Sequence, residues 1–327
     1  MTKSRLQTER ESTDSAQLKN NADLLHAPSP SLIDIQGAEF KENLWRKGFK
    51  VSHNLCRCPE LQLPSLVDLA QRLPSEHVVY YSGEVDVNQP DPNKRPRNGL
   101  CAADTIRQIE ESRSWMALRH IEADPQYKTL LEGVLEEVYA AAGCTVSGTH
   151  REAGFIFVAS PNSITPFHID DEHNFLLQIR GSKEISIWDP MDRAVISEEC
   201  VENKLQLWKG EGYHNSLPFE DSFQPRASVF HLNPGDGVYF PVGAPHWVKN
   251  GPLVSISFSV TFRSAESRRQ ATVYFMNRKL RKLGLDPMPP GRSGWRDSVK
   301  FGMFEAGHRT AGLVGRSWFR KNQNKWA

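Results

Sequence analysis

The sequence predicts a mainly β protein with α additions: a β-sandwich or barrel, helices packed on its N-terminal side, and a helical extension behind it. Three observations lead there. Between about Thr149 and Phe262, short apolar runs are separated by Gly, Pro, Asn and Asp at intervals of roughly 8–12 residues, the texture of an all-β sandwich or barrel. Ahead of them lie stretches whose apolar residues recur at helical spacing. Behind them the composition turns basic, with 15 Lys and Arg against 4 Asp and Glu from Arg263 onward.

In chain order, residues 1–27 are polar and charged and read as a flexible tail. Residues 28–148 form a helical and strand region expected to pack on the core. Within it Phe40–Phe49 supplies Leu44, Trp45 and Phe49 to a first core element. Leu66–Leu73 reads as a short amphipathic helix with Ser65 as its N-cap, His77–Ser82 as a strand, and Gln89–Gly99 as a proline-broken loop. A helix is predicted over Ala103–Ala123, from Ile106, Ile109, Trp115, Leu118 and Ile121. Asp124-Pro125 breaks it, and a second helix follows over Gln126–Ala142, stopped by Gly143.

Residues 149–262 hold the predicted strands: Ala153–Ser160, Ile164–Asp170, Phe175–Arg180, Glu184–Trp188, Ser228–Leu232, Gly237–Phe240, His246–Val248 and Leu253–Phe262. A looser insert, Asp192–Pro225, carries Trp208, Tyr213, His214 and Phe219; loops this long tend to be functional. Residues 263–327 read as helices over Ser267–Leu283, Trp295–Phe304 and Ala311–Phe319. The basic charge suits nucleic acid or an acidic partner, but no nucleic-acid recognition pattern accompanies it. Docking on the acidic body, or pairing of two subunits as a homodimer, is the favoured reading, and late aromatics such as Trp295 and Phe301 support such packing.

Composition narrows the setting. The 327 residues carry a net charge of +1, which gives no global attraction to polyanions. No apolar run approaches membrane-spanning length, and the N-terminus lacks an apolar signal core. The five cysteines are an odd number without paired zinc spacing, so reduced thiols in a cytoplasm are expected.

The chemistry concentrates in Thr165–Lys183. His168 and Asp170 are two residues apart in a predicted strand, so their side chains share a face. Alone, such a pair more often ends a polar strand than binds metal. His246, after the turn Asn233-Pro-Gly-Asp and the rigid corner Pro241–Pro245, is placed to join them when a jelly roll brings its ends together. Two imidazoles and one carboxylate leave three coordination positions open. That suits an Fe(II) that binds a chelating cosubstrate and then O2, and does not suit a closed structural zinc site. His173, five residues past His168, has the wrong strand parity and is expected on a loop; His231 is expected to be a satisfied strand residue. His150 and His214 are minor substrate-contact candidates, and Arg263, an alternative anchor for the cosubstrate, falls at the end of its strand and is assigned to the basic tail.

The motifs Thr165-Pro-x-His168-x-Asp170, Asn174-Phe-x-x-Gln178-Ile-x-Gly181-x-Lys183 and Pro234-Gly-Asp-x-x-Tyr239-x-Pro241, ending at His246, resemble those of the JmjC/cupin-like 2-oxoglutarate oxygenases. They are close in motif to the asparaginyl hydroxylase that inhibits the hypoxia-inducible factor. The resemblance covers residues 149–262 and implies a double-stranded β-helix (jelly-roll) core. It implies Fe(II) on His168, Asp170 and His246, Lys183 and Thr165 on the distal carboxylate of 2-oxoglutarate, and Asn174 beside that cosubstrate. It also implies a dioxygenase that releases succinate and CO2 while hydroxylating a protein side chain or a small metabolite. The competing expectation is a cupin-like metal-binding regulatory protein without turnover, using its basic tail to contact nucleic acid or a partner.

Overall fold

The computed structural model describes residues 31–35, 38–88, 96–143, 148–205 and 215–313. The predicted tail 1–27, most of the Gln89–Gly99 loop, the last predicted helix beyond Leu313, and Trp208, Tyr213 and His214 lie outside the described residues.

Strands β1 (Ile33–Asp34), β2 (Phe49–His53), β3 (Val78–Ser82), β4 (Ser114–Arg119), β5 (Thr149–Ala159), β7 (His173–Arg180), β10 (Asp236–Phe240) and β12 (Ser255–Ser264) form an antiparallel sheet in the order β1-β2-β10-β7-β12-β5-β4-β3. A smaller sheet, β6-β11-β8-β9, is built from β6 (Ile164–His168), β8 (Lys183–Ile187), β9 (Ser228–Leu232) and β11 (His246–Asn250). From β5 to β12 the chain passes back and forth between the two sheets, which is the double-stranded β-helix.

The alternation of side chains sorts the residues into layers. On the large sheet Phe175, Leu177, Ile256, Phe258, Val260 and Phe262 turn outward into a core shared with the N-terminal helices α1 (Ala38–Asn43), α2 (Leu63–Arg72), α3 (Ala102–Arg107) and α4 (Pro125–Ala142). Fully burying such a side chain contributes roughly 1.5–3 kcal/mol. The opposite parity faces the barrel interior and is partly polar. There the Ser257 hydroxyl donates to Gln178 Oε1, and the Ser259 hydroxyl to Asn174 Oδ1, both at 2.8 Å. Leu176, Ile185, Ile187, Val238, Phe240 and Val248 supply the apolar part of that interior. A third cluster, with Phe167, Trp188, Ile196 and Leu217, covers the outside of the small sheet with the 192–225 insert. Within this insert lies helix α5 (Glu198–Lys204).

Two helices finish the described chain, α6 (Ala265–Lys282) and α7 (Gly294–Leu313). Part of their charge is matched within the molecule. Arg281 pairs with Glu202 of α5 at 2.9 Å, Arg268 with Glu305 at 2.7 Å, and Arg278 donates to Asn203 at 2.9 Å. Arg281 and Arg278 thus tie α6 to α5 of the insert. Among the described residues no helix is long and apolar enough to cross a membrane.

Several local expectations are corrected. The helix predicted over Ala103–Ala123 is a short helix, α3, followed by strand β4. Trp115–Leu118 is buried on both faces, with Met116 and Leu118 in the outer core and Trp115 and Ala117 on the inner face. A run apolar on both sides carries no period that separates strand from helix. Helix α2 starts earlier than predicted, with Gln62 rather than Ser65 at the N-cap and Pro64 in its first turn; the Ser65 hydroxyl instead donates to the Pro59 carbonyl. Trp295–Phe304 is part of one longer helix, α7. His173 opens β7, buried between Trp45 and Phe262, so it is not a loop residue. Arg263 belongs to β12 and is 5% exposed, so it is not part of an exposed basic tail.

Candidate metal centre

His168 closes β6, and Asp170 follows where the strand lets go. His246 opens β11, directly opposite His168 in the register of the small sheet. Asp170 Oδ2 lies 3.7 Å from His168 Nε2 and 3.6 Å from His246 Nε2. Two atoms each ~2.2 Å from one ion can be no more than about 4.4 Å apart, so both separations fit a common metal. Among the described residues this is the one group of three or more His, Cys, Asp or Glu with ligand atoms so close together.

Each of the three side chains is aimed by a neighbour. His168 Nδ1 lies 2.7 Å from the Pro166 carbonyl and His246 Nδ1 3.0 Å from the Ala244 carbonyl. A carbonyl only accepts, so each Nδ1 carries the proton and each Nε2 turns its lone pair to the centre. The Asp170 carboxylate accepts from Asn215 Nδ2 at 2.8 Å through Oδ1, while the Gly243 N–H donates to the Asp170 carbonyl at 2.8 Å. Burial, with the nearby His168 second, lowers the His246 pKa to about 4, so its ring is neutral at physiological pH and competent to ligate.

The expected cosubstrate residues lie on the same inner surface, for a reason the linear spacing conceals. Thr165 is three residues before His168, and a regular strand would put it on the opposite face. The pairing of β6 with β11 shifts between His246↔His168 and Val248↔Thr165. This bulge adds a residue on β6 and returns Thr165 to the face of His168. On the other side of β11, Ile187, Ile185 and Lys183 oppose His246, Val248 and Asn250. Thr165, His168, His246 and Lys183 therefore share one face. Four residues at ~3.3 Å each set Lys183 about 13 Å down the strand from the His246 level.

Lys183 is 7% exposed, and burial lowers its pKa to about 7. No hydrogen bond or ion pair reaches its ammonium from the described residues. A buried cation so placed is costly until an anion joins it. The turn that delivers it depends on Gly181, whose φ is +68° and where a Cβ would stand 2.4 Å from the Val254 carbonyl oxygen.

Asn174 lies at the other end of this interior. It opposes Phe240, whose ring packs 4.5 Å from that of His246, so Asn174 sits near the ligand level and far from Lys183. His231 is on exposed β9, 3.5 Å from Glu184; His150 is on β5, its register partner Arg263. His173 faces the outer core: the Tyr239 hydroxyl accepts the Trp45 N–H at 3.1 Å and stands 2.9 Å from His173 Nδ1. Burial lowers its pKa to about 3, so it is a neutral structural residue.

Sequence reasoning missed two residues here. Asn215, from the insert, leaves no local signature of its contact with a carboxylate 45 positions earlier. Arg263 pairs with Asp171, with both side chains less than a tenth exposed, and lies 3.5 Å from Glu172. It thereby braces the turn that carries Asp170. Its length and position were visible, but its charge merged with the basic stretch behind it.

Residues 144–269 match the model of a family described as a JmjC domain. Solved structures of YcfD from Escherichia coli are similar to the chain. One has a TM-score of 0.48 at 15% identity, covering 87% of this chain and 70% of that one. A second, described as a ribosomal oxygenase, has 0.45 at 14% identity, with coverages of 89% and 70%. A third, in complex with cobalt and succinic acid, has 0.44 at 15% identity, with 89% and 70%. No curated protein matches the chain.

Proposed function

We propose that this chain, which carries a JmjC domain over residues 144–269, is an Fe(II)- and 2-oxoglutarate-dependent oxygenase that hydroxylates its substrate. The observation that carries the reading is one inner face bearing two Nε2 atoms and a carboxylate at one end and a buried lysine ammonium at the other. His168, Asp170 and His246 would hold the metal, with Lys183 and Thr165 on the far carboxylate of the cosubstrate. Asn174 is kept as a polar neighbour at the metal end. Iron held by these residues would supply the coupling of O2 reduction to oxidative decarboxylation of the keto acid, with one oxygen atom leaving in succinate beside CO2 and the other entering a substrate C–H bond.

The protein's own part is placement. The proton on each Nδ1 keeps each Nε2 available, and Lys183 orients a dicarboxylate lengthwise along β11. The apolar interior around Phe240 and Val248 keeps water from the space between. Hydroxylation is preferred to demethylation, and the substrate is a protein side chain or a small metabolite. The four described cysteines are free thiols, in keeping with a cytoplasmic setting. Helix α7 exposes Trp295, Val299 and Met303 at four-residue spacing, a stripe that a second copy of the chain would cover.

The test is succinate release from 2-oxoglutarate with Fe(II) and O2. Wild type is expected to show uncoupled turnover, and His168→Ala and Asp170→Ala to abolish it. Failure of the wild type both to bind 2-oxoglutarate and to turn it over would sink the oxygenase reading.

A further inference from the structure

The hydrogen bond from Asn215 to Asp170 has more structure behind it than a surface contact would. Residues 215–217 run beside the free edge of β6. The Ile169 N–H donates to the Asn215 carbonyl at 3.2 Å and the Leu217 N–H to the Phe167 carbonyl at 2.9 Å. Ser216 bridges to His168 itself. Ser216 and Leu217 are 7% and 3% exposed, and Leu217 is seated in the cluster of Phe167, Trp188 and Ile196. The strap is thus held from the Asn215 carbonyl onward, through Ser216 and Leu217, and this anchoring presents the amide to Asp170.

The carboxylate has two oxygens, and which one faces the centre matters. Oδ2 is the oxygen near both Nε2 atoms, and Oδ1 is the oxygen that receives the Asn215 amide. A carboxylate free to turn could chelate an ion with both oxygens and fill a position needed by the cosubstrate. We propose that Asn215 is a positioning residue of the metal centre: its amide holds Oδ1 away from the ion, confines Asp170 to single-oxygen ligation, and keeps that position open. The inference rests on the metal-centre reading above. It also makes the 192–225 insert part of that centre, because Asn215 belongs to the insert.

The experiment uses the full chain and Co(II) as the probe, with a double-mutant cycle of Asn215→Leu and Asp170→Ala. Co(II) affinity is measured by titration calorimetry, and 2-oxoglutarate affinity is measured at saturating Co(II). Asn215→Leu is expected to weaken Co(II) binding by about 10- to 100-fold, the usual cost of losing a partner of a metal ligand, and to weaken 2-oxoglutarate binding further on the loaded protein. In the Asp170→Ala background the same substitution is expected to change Co(II) affinity little, because the amide then has no carboxylate to hold. Asn215→Ala, which keeps the strap's backbone and removes only the amide, guards against a folding defect and is expected to behave alike. Unchanged Co(II) and 2-oxoglutarate affinity in both variants would overturn the proposal, as would an equal loss with and without Asp170. A wild type that binds no Co(II) would overturn the metal-centre reading and this inference with it.

Discussion

Lys183 shows at a single residue how a buried charge costs stability. Its pKa falls from the ordinary lysine value to about 7 because burial disfavours the ammonium. Between about pH 7 and the unfolded value near 10.5, the unfolded chain binds more protons than the folded one, so stability rises with pH across that window. Below about pH 7 both states are charged and the full penalty stands. Lys183→Met replaces the cation by a side chain of similar length and should therefore stabilise the metal-free protein at pH 6 and do little at pH 10. Urea denaturation at the two values checks this: equal differences at both would show that Lys183 does not titrate across this window. The same variant should lose most of its 2-oxoglutarate affinity while retaining Co(II) binding, and unaltered affinity for the keto acid would move the anchor elsewhere.

Gly181 sets the approach of that lysine. Gly181→Ala meets both a left-handed backbone and a carbonyl 2.4 Å from the new Cβ, so the turn must open. A loss on the order of 1–3 kcal/mol is expected, with 2-oxoglutarate affinity falling more than Co(II) affinity because Lys183 is nearer than the ligands. A variant as stable as wild type in thermal unfolding would contradict the clash.

Among the elements, strands were the most legible in the sequence. Gly181, Pro234 and Gly235 punctuate the core so closely that β9 was read to the residue and its neighbours nearly so. Strand β4 was not, since Trp115–Leu118 has no polar face to reveal its period. The cluster of His168, Asp170 and His246, proposed above to hold the metal, was readable because chemistry and spacing agree. The route by which Thr165 joins them was not, because a bulge is a property of a pair of strands. Arg263 near the end of β12 and Asp171 after β6 form a brace of the same kind, a contact between distant elements. Removing one partner of a buried ion pair typically costs 3–5 kcal/mol. Arg263→Met should thus destabilise strongly in urea unfolding, and Asp171→Asn in the same chain should recover part of the loss. Strictly additive losses in the double variant would show that the two side chains are not coupled.

At the scale of the whole molecule, the C-terminal helices decide between two uses of positive charge. Arg268, Arg278 and Arg281 already have partners on α7, α5 and the loop after α6, and Tyr274 of α6 is buried in the cluster that covers the small sheet. Ion-paired in this way, Arg268 and Arg281 have less charge to offer a polyanion. The apolar stripe of Trp295, Val299 and Met303 still faces outward, and an exposed apolar patch marks an interaction site. Two measurements separate these uses. The mass of the full chain in solution should be that of a dimer, and Trp295→Glu with Val299→Glu should return it to a monomer with Co(II) binding intact. Binding to a DNA duplex should be weak and lost with modest salt. A wild type that is monomeric, yet holds the duplex at physiological salt through the same helices, would reverse the assignment.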